Sequence, residues 1–82
     1  MIARFYVLDV PENEGVVDVV SRTDGVEVVK VGPYCRITGD DEVEVDRRAT
    51  GARHAVWYSS VAGLEGSRIV QHDKDALRVV SR

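Results

Sequence analysis

Apolar positions along this chain follow two periods, and the change from one to the other marks its elements. Arg4 to Val10 reads as a first strand, closed by Asp9-Val-Pro-Glu-Asn, because Pro11 cannot donate to a ladder. Val16, Val19, Val20 and Thr23 then recur at i, i+3, i+4 and i+7, while Asp18, Ser21 and Arg22 fall between them. That spacing predicts one amphipathic helix, with Asn13 as its N-cap and Glu14 at its positive end. Valine is a stiff, β-branched helix former, so such a helix must be held by packing against a sheet. Thr23-Asp-Gly25 stops it.

The period then returns to two. Val26 to Val31 and Tyr34 to Thr38 read as strands joined through a Gly32-Pro33 corner. Cys35 and Ile37 take one face of the later strand; Tyr34, Arg36 and Thr38 take the other. Gly39-Asp-Asp reads as a turn. Glu42-Val-Glu-Val-Asp46 alternates strictly, which predicts a half-exposed strand with Val43 and Val45 inward. Arg47 to Arg53 fits one helical turn or a loop, and Ala55 to Tyr58 fits a strand or a short helix. Gly63 and Gly66 interrupt the stretch beyond Tyr58. Ser67 to Gln71 and Ala76 to Ser81 read as a closing hairpin around His72-Asp-Lys-Asp75. The fold class expected is α+β: a small mixed or antiparallel sheet with one main helix after the first strand.

Size narrows the functions open to such a chain. Its 82 residues suit one domain, 1–82. A chain of this length buries about 60% of its unfolded surface, which leaves little room for both a core and a deep active-site cavity. Net charge is −3 with acidic and basic residues mixed. Nucleic-acid binding needs a basic footprint that is not found here, and attraction to an anionic membrane surface is not expected either. No apolar stretch nears the roughly 20 residues of a membrane span, and Met1 to Val10 lacks the apolar centre of a signal peptide. One cysteine permits no intramolecular disulfide and fits a reducing cytoplasm.

Candidate chemistry is sparse. His54 and His72 are the only histidines, and their spacing matches no metal motif, so structural roles are expected. Cys35 alternates inward with Ile37; a nucleophile served by His54 would need an exposed, electropositive setting instead. Asp40-Asp41-Glu42 and Asp73-Lys-Asp75 lack calcium-loop spacing and suit turns, where aspartates bond their own backbone. Ser59-Ser60 lacks the Gly-x-Ser-x-Gly elbow, and Gly63-Leu-Glu-Gly66 lacks a phosphate loop's lysine. Arg47, Arg48 and Arg53 form the densest basic spot, with a solvated face as its plain reading. Of the adjacent aromatics Trp57 and Tyr58, one is expected in the core and the other outside, where aromatic side chains favour partners. No catalytic, metal or cofactor-binding residue is assigned.

The order of the motifs carries more than any one of them. The Val7-Leu8 strand and Gly15-Val16-Val17 helix start come first, then Val26-Glu-Val-Val-Lys-Val-Gly-Pro-Tyr-Cys-Arg-Ile. Glu42-Val-Glu-Val-Asp-Arg, Ser59-Ser-Val-Ala-Gly63 and Asp73-Lys-Asp-Ala-Leu-Arg-Val79 come after them. Over nearly its whole length the chain resembles the effector, or coupling, proteins of bacterial multicomponent diiron monooxygenases, the family of the methane monooxygenase and phenol hydroxylase regulatory components. The family's usual helical segment before the Ser-Ser piece has only Arg47 to Tyr58 to occupy here, so a short or missing second helix is expected. The resemblance implies a non-catalytic protein with no metal or organic cofactor. Its partner would be the diiron hydroxylase of a system oxidising hydrocarbon or aromatic substrates. The residues expected to meet it are Tyr34, Arg47, Arg48, Ser59, Ser60, Val61, Ala62 and Gly63. The competing expectation is a small-ligand or self-associating module, a weak homodimer through a valine-rich edge strand.

Overall fold

A computed structural model describes residues 1–82. Seven strands form two antiparallel sheets rather than one. The first strand, β1 (Ile2–Leu8), leads through a 3-10 turn (Pro11–Asn13) into helix α1 (Glu14–Ser21). Next come β2 (Val26–Val31), β3 (Tyr34–Asp40) and β4 (Glu42–Asp46). Two short helices, α2 (Arg47–Thr50) and α3 (His54–Tyr58), precede β5 (Val61–Leu64), β6 (Ser67–His72) and β7 (Ala76–Ser81). The four-stranded sheet runs β2-β3-β1-β5 and the three-stranded sheet β4-β7-β6.

Alternation within the strands builds the core. Ala3, Phe5 and Val7 of β1 stand opposite Gly39, Ile37 and Cys35 of β3. All six are buried and form the inner face of the larger sheet. Val43 and Val45 stand opposite Val79 and Leu77, as the strict alternation of β4 predicts. Val16 and Val20 of α1 and Trp57 of α3 close the same cluster. The helix is thus held by the sheet, which offsets the poor helix propensity of its valines. Thr23 leaves the predicted apolar stripe: it is exposed, and its hydroxyl donates to the Val19 carbonyl at 2.8 Å.

The sheets meet along β1. The Arg4 amide donates to Ser67 Oγ at 2.8 Å, and the Glu65 amide donates to the Arg4 carbonyl at 3.2 Å. Near the β3–β4 turn, the Ser81 amide donates to the Asp41 carbonyl at 2.9 Å. Asp41 makes that turn with φ of 57°, a left-handed conformation that aspartate tolerates better than most residues. Gly39 belongs to β3, not to the turn. A Cβ there would lie 2.7 Å from Val43 Cγ2, so glycine lets the two sheets approach.

Several expectations are corrected. Asn13 holds the N-cap position of α1 but makes no side-chain cap. Its amide instead donates to the Leu8 carbonyl at 2.9 Å, fastening the end of β1 beneath the helix. The interrupted stretch around Gly63 is strand β5, paired with β1. The stretch from Arg47 to Tyr58, by contrast, keeps to the short-helix alternative expected of it, as two helices of 4 and 5 residues. Gly51, at φ of 69°, ends the first.

Candidate functional site: the open face of the four-stranded sheet

No cleft or internal cavity is present, and no three histidine, cysteine or acidic side chains gather as metal ligands. What the molecule presents is surface. Cys35 lies in the core, where burial pushes its thiol pKa up, while His54 is exposed on α3. A neutral buried thiol is a poor nucleophile. His72 is half-buried, with Nε2 at 3.0 Å from the Trp57 carbonyl. A carbonyl only accepts, so that nitrogen carries the proton. Asp73 does turn chemistry: amides of Ala76 and Asp75 bond its carboxylate at 3.0 and 2.9 Å and hold its pKa below the usual range.

The Trp57-Tyr58 pair divides as expected, on a short helix. Trp57 is buried, with its indole N–H donating to the Asp73 carbonyl at 2.6 Å, and Tyr58 is exposed. The serines after it close α3. Ser59 Oγ donates to the Ala55 carbonyl at 2.8 Å, and buried Ser60 Oγ donates to the Trp57 carbonyl at 2.7 Å. Both add a donor to carbonyls of the short helix α3 near its C-terminal end. Arg47 reaches the Lys74 carbonyl through Nε and the Ala52 carbonyl through its guanidinium at 3.3 Å, tying α2 to the β6–β7 turn. Arg48 is exposed: its amide donates to the Asp46 carboxylate at 3.2 Å, and its guanidinium makes no hydrogen bond.

The residues singled out for a partner therefore do not form one patch. Tyr34 and Gly63 lie on the four-stranded sheet, on either side of β1. Val61 opens β5 half-buried against the core, and exposed Ala62 comes next. Arg47 and Arg48 belong to α2, which packs on α1, the helix on the inner side of that sheet.

The outer side of the sheet has no covering element. Along its end, Leu8, Tyr34 and Val31 stand directly opposite one another across β1, β3 and β2. Their exposures are 39%, 38% and 40%, high for large apolar groups forming one continuous row. In the next row Tyr6 and Val29 flank Arg36, and Gly63 stands beyond Tyr6 with no side chain to cover it. The Tyr6 and Tyr34 rings meet edge to face at 6.4 Å. The Tyr6 hydroxyl donates to Glu65, which also pairs with Arg4 at 3.3 Å. These contacts hold the Glu65 carboxyl below, and the Tyr6 phenol above, their usual ranges. Arg36 forms no ion pair, and its Nε is buried without a hydrogen-bond partner. Sequence reasoning placed Arg36 and Tyr34 on this polar face but missed Leu8, Val29 and Val31. Their alignment depends on register between strands, which only the i, i+2 spacing within each strand hinted at.

No protein-family model matches the sequence, and no curated protein matches it. Among solved structures, the chain is similar to a chain of the phenol hydroxylase–regulatory protein complex, with a TM-score of 0.80 and 11% identity. The alignment covers 100% of both chains. At that identity the likeness is one of fold alone.

Proposed function

We propose that this protein is the regulatory, or coupling, component of a multicomponent diiron monooxygenase. One effector domain, 1–82, docks on the hydroxylase that holds the diiron centre, needs no cofactor of its own and works in the cytoplasm. The observation that supports this most is the end-to-end match in fold to a regulatory protein, reached with an element order the sequence already suggested. The surface agrees in kind, since it offers an uncovered sheet face with exposed apolar side chains.

Such a protein acts by binding one hydroxylase conformation better than another. A differential of about 1–3 kcal/mol biases that equilibrium roughly 5–150-fold, enough to open or close a path for substrate and oxygen. Chemistry stays with the hydroxylase. Tyr34, Arg48, Ser59, Ala62 and Gly63 are the candidate contacts, with Arg47, Ser60 and Val61 shaping the backbone beneath them.

The test is a reconstituted assay containing hydroxylase and reductase from the same organism. Adding this protein raises product formed per NADH consumed, with saturation near one regulatory chain per hydroxylase active site. Unchanged coupling together with no complex on gel filtration refutes the reading.

A further inference from the structure

We infer that the outer face of the four-stranded sheet docks a protein segment carrying a carboxylate set among apolar side chains. This rests on the regulatory reading above, with the hydroxylase as the partner that carries the segment. Three observations converge on the occupant. Leu8, Tyr34 and Val31 form an unbroken apolar row three strands wide. Arg36 stands in the adjoining row with Val29 directly opposite on one side and Tyr6 on the other. Its Nε is shielded from solvent and has no acceptor.

A shielded guanidinium N–H without an acceptor is costly, because the desolvation has been incurred and nothing replaces the lost water. Within this chain Glu65 and the Tyr6 hydroxyl lie near enough to feel the Arg36 charge, but neither gives its Nε an acceptor. Glu65 is taken by the Tyr6 hydroxyl and by Arg4. An incoming carboxylate would present two oxygens to the planar guanidinium fork, the geometry in which arginine is most selective. The apolar row beside it would take flanking aliphatic or aromatic side chains and exclude water from the pair. Arginine and tyrosine set in a desolvated patch are the side chains on which binding energy concentrates.

A nucleic acid or a free phosphate would also suit a guanidinium, but neither makes use of three exposed apolar side chains in line. A second copy of this chain would bring its own Arg36 toward the same face, placing like charges where an anion is needed.

The experiment titrates the full-length protein against the hydroxylase of its own organism by calorimetry. The variants are Arg36→Gln, Arg36→Lys and Tyr34→Ser, with Lys74→Gln, in the exposed β6–β7 turn of the other sheet, as a control off the face. Thermal melts establish that each is folded. The expected result is binding weakened about thirtyfold or more by Arg36→Gln. Arg36→Lys recovers part of it, Tyr34→Ser weakens it comparably, and Lys74→Gln leaves it unchanged. If wild type binds and both Arg36→Gln and Tyr34→Ser bind equally well, the face is not the contact, and the regulatory reading stands without it. If wild type does not bind at all, the regulatory reading falls first. Sedimentation is the second arm: a dimer that Tyr34→Ser converts to monomer assigns the face to self-association and overturns the inference.

Discussion

The two sides of the four-stranded sheet come from the same strands and have opposite fates. On the inner side, Phe5, Val7 and Ile37 are 0% exposed beneath α1 and the second sheet. On the outer side, Leu8 and Tyr34 are the immediate chain neighbours of Val7 and Cys35, yet each is more than a third exposed. Chain position is nearly the same and so is strand geometry. What differs is whether another element arrives to cover the side chain. Apolar content therefore does not mark the core of this protein; coverage does, and the uncovered apolar row is the part left for something else.

The largest expected effect breaks the inner side. Phe5→Ala removes a fully buried ring at a cost of about 3–5 kcal/mol. For 82 residues at about 0.05–0.15 kcal/mol each, the whole stability is about 4–12 kcal/mol, so the loss is a large share of it. Chemical denaturation followed by circular dichroism checks it, and a wild-type midpoint would contradict a core centred on this ring.

Gly15→Ala comes next. A Cβ at Gly15 falls 2.0 Å from the Thr50 carbonyl oxygen, a backbone atom, so α1 and α2 must separate. The gain in helix propensity, about 1 kcal/mol, is expected to be outweighed, for a net loss of about 1 kcal/mol or more. A thermal melt gives the sign directly.

Acid sharpens the comparison on the outer side. The Tyr6 hydroxyl first, and Arg4 after it, hold the folded Glu65 carboxyl below its ordinary value. The unfolded state therefore takes up protons first, and the contribution of Glu65 is fully present above about pH 4.3. It is lost as pH falls from there through the depressed folded value. In Glu65→Gln the stability curve should be flatter over that acid range than in wild type. Parallel curves from about pH 6 to about pH 3 would mean that the carboxylate contributes nothing there.

The smallest effect is expected from Arg36→Gln, at about 0.5 kcal/mol or less in stability, since the guanidinium Nε makes no bond within the chain. Loss of partner binding with an unmoved melting temperature would separate the two faces most cleanly.

Much of the fold was legible because it is local. The 3.6 period of Val16, Val19 and Val20 and the alternation of Glu42 to Asp46 record which side each residue faces within its own element. Cys35 and Ile37 were placed inward correctly on the same ground, and the hairpin of β6 and β7 came from its turn. The site was harder to read. Tyr34 and Arg36 were visible as outward residues, but Val31, Tyr34 and Leu8 become neighbours only through pairing of β2, β3 and β1. Val61 to Leu64 gave no strand signal because alanine and glycine have poor β propensity; pairing with β1 overrides it. Asn13 matched a capping rule, yet the Leu8 carbonyl at a buried strand end claimed its amide.

By itself, then, the sequence determined most of the elements (β5 and the choice between helix and loop from Arg47 to Tyr58 apart), the inward and outward sense of their side chains, and the order in which they come. Those depend on backbone geometry repeated over a few residues. The tertiary structure alone decided the division into two sheets, the pairing of β5 beside β1, and the joining of Leu8, Tyr34, Val31 and Arg36 into one open face. Those depend on contacts between residues far apart in the chain, where register and close approach, as at Gly39 and Val43, select one arrangement among many that share the same local pattern.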